Sequence, residues 1–213
     1  MSSLKDIRTD YTKGIITSDD LAACPADQLS KWINEADKAG LSDPNAFCLS
    51  TLNKDGFPNG RIVLARRIDS EGLVFYTNKN SAKGVEIESL AKAGATFFWA
   101  HLQRQVRLNG EVSHLSDEES DRYFASRPRS SQIGAWASSQ SESMASREEL
   151  ESNQAKFESK FKSQSVVPRP PHWGGYIISI EEVEFWQGRA SRLHDRVKYI
   201  KSSEGWSKRL LQP

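Results

Sequence analysis

Cysteine and methionine are scarce in this 213-residue sequence, and neither sign of charge dominates. Two cysteines, Cys24 and Cys48, give neither a metal-ligand spacing nor a disulfide framework. Cys48, within Ala46-Phe47-Cys48-Leu49, reads as a small buried hydrophobe, and a reducing, cytoplasmic compartment is expected. With 29 basic and 28 acidic side chains the net charge is +1. No whole-molecule field therefore recruits nucleic acid or an anionic membrane, and any anion site must be local. The longest apolar cluster, Ala95 to Ala100, is far too short to cross a bilayer. The N-terminus, Met-Ser-Ser-Leu-Lys-Asp-Ile-Arg, lacks the apolar core of a secretory signal. Neither G-x-G-x-x-G nor a P-loop occurs, so a nucleotide-like cofactor would be held by side chains. His101, His114 and His172 have no ligand-like spacing, and no metal is expected. No Ser-His-Asp or Cys-His order points to covalent hydrolysis.

What is present suggests one domain over residues 25–213, preceded by a polar arm at 1–24 that orders on packing or ligand binding. Leu29, Trp32, Ile33 and Ala36 recur at helical spacing up to Gly40. Ala46–Leu52 and Asn59–Ile68 then read as strands around the turn Asn53-Lys54-Asp55-Gly56. Further strands are expected at Leu73–Asn78, Ala95–His101, Gln103–His114, Gly175–Trp186, Arg192–Lys201 and Trp206–Leu211. Helices are expected from Ser81 to Ala91, from the capping box Ser116-Asp117-Glu118-Glu119 to Ser126, and over 130–137 and 146–162. Val166 to Pro171 forms a stiff connector. Strands in hairpin order with helices between them predict a mainly β (α+β) antiparallel barrel. Trp32, Trp136 and Trp206 are read as core.

Four groups of residues suit anions. Arg61 and Arg66 sit at the two ends of Arg61-Ile62-Val63-Leu64-Ala65-Arg66, on opposite faces if alternation holds, or flanking a bend. Tyr76, Thr77, Asn78, Ser81 and Lys83 lead into a helix start, where free N–H groups favour phosphate. Tyr123, Arg127, Arg129, Ser130 and Ser131 join a helix end to a hydroxyl-rich turn. Finally, Arg192, His194 and Arg196 would project from one face of a closing strand, after the corner Trp186-Gln187-Gly188. Adjacent His194 and Asp195 would face opposite ways, which argues against a dyad. Each group taken alone also fits a solvated strand face or a plain turn. Together with Gln103, Gln105 and Gln140 they imply two ligands.

These residues are the ones by which the chain resembles the pyridoxamine 5′-phosphate oxidase family. The likeness runs through Tyr76-Thr77-Asn78, Leu102-Gln103-Arg104-Gln105-Val106, Tyr123-Phe124-x-Ser-Arg-Pro-Arg, Ser131 to Trp136, Trp173-Gly174-Gly175, Glu184 to Gly188 and Arg192 to Arg196. The resemblance implies an FMN-binding split β-barrel, a homodimer with FMN at the subunit interface, and oxidation of pyridoxamine or pyridoxine 5′-phosphate by dioxygen. It implies that Arg61, Ile62, Val63, Leu64, Tyr76, Thr77, Lys83, Gln105, Gln140, Ser141, Trp186 and Arg196 contact FMN. Arg66, Tyr123, Arg127 and Ser131 would clamp the substrate phosphate, and Arg192 and His194 would act over the pyridine ring. Arg8 and Tyr11 match a segment that closes over substrate. Arg66 stands where the family usually has Lys, and Ala82 where it usually has Arg. Losing the second cation implies FMN binding weaker by about 1.5–3 kcal/mol. A flavin enzyme with another substrate, a non-catalytic pyridoxal phosphate binder and a nucleic-acid-binding barrel are the alternatives. The phosphate clamp speaks against the first, bleaching by substrate would exclude the second, and balanced charge disfavours the third.

Overall fold

Alternating apolar and polar residues set the strands of this protein, whose computed structural model describes residues 3–6 and 9–213. In β1 (Ala46–Leu52) Phe47, Leu49 and Thr51 turn inward. The hairpin to β2 (Pro58–Leu64) is held by Asn53, whose Oδ1 accepts from the N–H of Asp55 (3.0 Å) and Phe57 (2.9 Å). Short β3 (Arg67–Ile68), β4 (Leu73–Asn78), β5 (Lys92–Trp99), β6 (Arg104–His114), β7 (Trp173–Gln187), β8 (Asp195–Ser202) and β9 (Gly205–Leu210) follow. All pairings among them are antiparallel, in the order β2-β1-β5-β6-β7-β4-β3, with β8 and β9 added beside β7. This is a mainly β split barrel with inserted helices.

Two details make it a barrel and not an open sheet. The first is the break in the expected strand Asn59–Ile68. After Leu64 the N–H of Ala65 bonds to Asn45 O (2.9 Å) and that of Arg66 to Val74 O (2.8 Å). The chain thus crosses at Ala65-Arg66 from the β1 edge to the β4 edge, joining the two ends of the sheet. The second is the length of β7: its first half, Trp173 to Ile178, pairs with β4, and its second half, Glu182 to Gln187, with β8. A register shift between Asn109 and Gly110 lets β6 follow that bend. A Cβ on Gly110 would lie 1.9 Å from Ser179 O. Gly110→Ala should therefore destabilise the fold by about 1–3 kcal/mol. A thermal melt checks this; an unchanged midpoint would show that the bulge absorbs a methyl group.

The barrel interior holds Phe47, Phe75, Phe97, Tyr176 and Phe185. Helix α1 (Pro25–Lys38) plugs one end, with proline in its first turn and Leu29, Trp32 and Ala36 buried. The Trp32 ring meets Phe185 edge to face at 5.1 Å, and the Arg104 guanidinium lies 4.6 Å over it. Ser81 caps α2 (Ala82–Ser89), and Ser116 caps α3 (Asp117–Ser126) by accepting from Glu119 N–H at 3.1 Å. With α4 (Arg129–Ala137) and α5 (Arg147–Phe161), α3 encloses a second cluster of Phe124, Ile133, Phe161, Val167 and Trp173. Trp136 belongs to its edge, and Trp206 packs on the main core. Cys48 is only half-buried, because it lies on the outward face of β1 opposite Ile62.

Candidate active site

The crossover at Ala65-Arg66 has a functional consequence. Arg61 and Arg66 do not part to opposite faces but line one cavity of about 630 Å³, within the usual range of small-ligand sites. Its wall is the edge strand β2 from Arg61 through Ile62, Val63 and Leu64, and the end of β4 with Tyr76, Thr77 and Asn78. Lys83 of α2, Tyr123 and Arg127 at the end of α3, Ser131 of α4, Gln140 and Trp173 complete it.

One end is built on Arg61 and Lys83. Arg61 Nη2 donates to Glu86 Oε2 at 3.0 Å, and Nη1 donates to Leu49 O at 3.3 Å and to Thr51 Oγ1. Lys83 is buried, with Nζ 3.2 Å from Ser81 Oγ and 3.3 Å from Gln140 Oε1, which also accepts from Thr77 Oγ1 at 3.1 Å. Burial, and then the Arg61 charge, pulls the Lys83 ammonium below its ordinary pKa, against the pull of Glu86. Ala82 is exposed and does not reach the cavity.

The other end is aromatic and cationic. Tyr76 stacks on Tyr123 (3.9 Å, 14°) and on Trp173 (5.4 Å, 9°). Arg66 lies 5.8 Å from the Tyr123 ring and Arg127 4.7 Å from the Trp173 ring. Arg127 Nη1 is buried with no hydrogen-bond partner among the described residues. Burial, reinforced by Arg66, lowers the Arg127 pKa, although Tyr123 acts the other way. Among the described residues no carboxylate forms an ion pair with Arg66, Lys83 or Arg127. Arg66 is exposed, but Lys83 and Arg127 are drawn from solvent without counter-ions, which is costly, and an anion at each end relieves that cost.

A second group of predicted residues lies elsewhere on the chain. Tyr11, Trp186 and His194 form an aromatic cluster, with Trp186–His194 centroids 4.6 Å apart and Tyr11 5.7 Å from each. Gln105, Trp186 and Arg196 stand opposite one another across β6, β7 and β8. Arg196 donates to both carboxylate oxygens of Glu184, at 2.8 and 3.0 Å. None of Tyr11, Gln105, Trp186, Arg192, His194 and Arg196 lines the cavity of the same chain. Ser141 also stays off its wall, exposed at φ +76° beside Gln140. Arg8 lies outside the described residues.

The expected single strand face for Arg192, His194 and Arg196 is corrected by the structure. β8 starts only at Asp195, and Ala190–Arg192 is a 3₁₀ turn with Ser191 at φ +56° and Arg192 at φ +62°. Two successive non-glycine residues there carry backbone strain. Side chains replace the ladder: His194 Nδ1 accepts from Arg189 N–H (3.1 Å), and Asp195 accepts from Arg189 Nη1 (2.9 Å) and Ile16 N–H (3.1 Å). Burial, then Arg192 and Arg196, lowers the His194 pKa, and because Nδ1 accepts from Arg189 N–H the neutral ring carries its proton on Nε2. Gln103, read from sequence as a ligand group, instead receives the arm: its Oε1 accepts from Thr12 N–H (2.8 Å) and Lys13 N–H (3.0 Å).

Residues 33–161 match the family model described as pyridoxamine 5′-phosphate oxidase. Residues 173–213 match that of the pyridoxine 5′-phosphate oxidase C-terminal dimerisation region. The chain belongs to the pyridoxamine 5′-phosphate oxidase family. It is similar to the pyridoxine/pyridoxamine 5′-phosphate oxidase of Synechocystis, at 47% identity over 99% of this chain and 98% of that protein. The Rubrobacter xylanophilus protein of the same name is 48% identical over 99% and 96%. Among solved structures, PhzG from Burkholderia lata, in complex with tetrahydrophenazine-1-carboxylic acid, superposes with a TM-score of 0.86. It is 29% identical over 93% of this chain and 98% of that one. A pyridoxamine 5′-phosphate oxidase-related, FMN-binding protein of Nostoc punctiforme shares the fold at TM-score 0.71 and 15% identity, covering 91% and 100%.

Within this pyridoxamine 5′-phosphate oxidase family member, sequence reasoning missed Glu86. It is buried under Arg61 and accepts from Thr51, Asn59 and Arg61. The available signal was its place three residues after Lys83, on the same helical face.

Proposed function

We propose that the protein is an FMN-dependent oxidase converting pyridoxamine and pyridoxine 5′-phosphate to pyridoxal 5′-phosphate in the cytoplasm. It would act as a homodimer, in which the Tyr11, Trp186 and His194 cluster of one protomer faces the cavity of the other. The observation that carries this reading is the buried, unpartnered Arg127 Nη1 beside Arg66, Tyr123 and Ser131, in a cavity whose far end holds Arg61 and Lys83. Two separated cationic ends fit two phosphate groups, one of the cofactor and one of the substrate. The residues present fit FMN, with Arg61, Lys83 and Gln140 at its phosphate.

FMN when bound would supply the two-electron acceptor, reoxidised by dioxygen to give hydrogen peroxide. The protein's own part is placement. Arg66, Tyr123, Arg127 and Ser131 grip the substrate phosphate, far from the reacting carbon, and that remote binding energy orients the ring. Neutral His194, with its Nδ1 occupied by Arg189 N–H, can donate from Nε2 to a ring substituent. The Arg192 guanidinium would stabilise negative charge developing on the ring.

The likeness to PhzG raises a second reading, a split-barrel oxidase for an unphosphorylated ring. Arg127 argues against an uncharged ring, which would leave its buried Nη1 without an anion, whereas a ring carboxylate such as that of the PhzG ligand would pair with it. Purified protein should be yellow, and anaerobic pyridoxine 5′-phosphate should bleach its visible absorbance. Bleaching by unphosphorylated pyridoxine alone would favour the second reading, and a yellow protein bleached by neither compound would exclude the first.

A further inference from the structure

We infer that Glu86 is a positioning residue that fixes Arg61 for a phosphate, so that this end of the cavity is shaped before any cofactor arrives. The inference rests on the reading that FMN binds there. Four side chains from three elements converge at this point. Glu86 of α2 is only 8% exposed; its Oε2 meets Thr51 Oγ1 of β1 at 2.5 Å and Arg61 Nη2 of β2 at 3.0 Å. Its Oε1 accepts from Asn59 Nδ2 at 2.5 Å. Thr51 Oγ1 in turn accepts from Arg61 Nη1.

Guanidinium chemistry shows what is held and what is free. Of the five N–H donors of Arg61, Nη1 serves Leu49 O and Thr51 Oγ1, and Nη2 spends one hydrogen on Glu86. The Nε–H and the second Nη2–H remain, and together they form the side edge of the fork that matches two phosphate oxygens. Without the carboxylate, Arg61 would stand on an edge strand with several rotamers open to it, and binding would have to freeze one. A fixed anion beside a phosphate site also repels the ligand. Here the repulsion is muted, because Arg61, Thr51 and Asn59 already neutralise or hydrogen-bond Glu86. Burial pushes the Glu86 pKa up, but those three partners outweigh it and keep the carboxyl ionised. Ala82 does not reach the cavity, which leaves Arg61 and Lys83 as the cations lining this end among the described residues.

The test titrates apoprotein with FMN and with riboflavin, which differ by the phosphate alone, and records each affinity together with the thermal midpoint. Glu86→Ala should weaken FMN by about tenfold or more and riboflavin by less than about twofold. Glu86→Gln keeps an acceptor for Arg61 and drops the charge, so its FMN affinity should stay within about threefold of the parent. Should Glu86→Ala not fold, Thr51→Val removes a hydrogen bond to each of Glu86 and Arg61 at constant shape, and the same selective loss of FMN is expected. Equal weakening of FMN and riboflavin, or a Glu86→Gln variant as poor as Glu86→Ala, overturns the positioning role. A parent protein with no preference for FMN over riboflavin overturns the underlying cofactor reading instead.

Discussion

Replacing Arg127 by methionine should lower kcat/KM for pyridoxine 5′-phosphate by a factor of about a hundred to a thousand while leaving FMN affinity within about threefold. The size follows from losing charge-assisted hydrogen bonds to the substrate phosphate, each worth about 1.5–3 kcal/mol. The same variant should melt at a higher temperature than the parent. Arg127 is desolvated, lacks a carboxylate partner and leaves Nη1 unpartnered, all of which weaken the substrate-free fold. Methionine keeps the aliphatic packing against Trp173 without that charge. Steady-state kinetics, flavin titration and a thermal melt read the three effects separately. Lost activity together with lost flavin and a lower midpoint would mean that Arg127 is a structural cation.

The second large effect is a division of labour between Arg61 and Arg192. Arg61→Ala should cost FMN affinity about a hundredfold, with turnover largely restored once excess FMN is supplied. Arg192→Ala should do the reverse. Flavin content stays near the parent's, and kcat falls by about a hundredfold or more even at saturating FMN. Flavin absorbance of dialysed protein and turnover at saturating FMN distinguish them. Equal flavin loss in both variants contradicts the assignment, because Arg61 lines the cavity of its own chain whereas Arg192 does not.

Much of this architecture is legible from the residues, and the exceptions have physical causes. β1 and β4 fall on the predicted spans because apolar alternation and turn chemistry are local signals. The crossover at Ala65-Arg66 is not, since it depends on which edge captures two backbone N–H groups, and no local pattern encodes that choice. Likewise, strict alternation assigns Arg192 to a strand. In the fold, the His194 ring and the Asp195 carboxylate satisfy neighbouring donors and so hold the segment out of the ladder. Gln103 is misread for a similar reason: its amide serves backbone groups about ninety positions upstream. The cavity residues are easier to read, because Lys83 and Ser131 fall in the first turns of α2 and α4, and helix N-termini favour anions. Glu86 is the opposite case. An acidic residue on a short helix reads as solvated until the strands that surround it are known.

Asp195 ties together two parts of the chain that are far apart in sequence. One carboxylate braces Arg189, at the base of the strained Ser191-Arg192 turn, and also accepts the N–H of Ile16. The arm is therefore a splint for that turn, bearing on the shape of Arg192 as directly as the turn's own residues do. A chain trimmed past Ile16 would keep every cavity residue, yet the turn that carries Arg192 would lose the partner that shares its anchor.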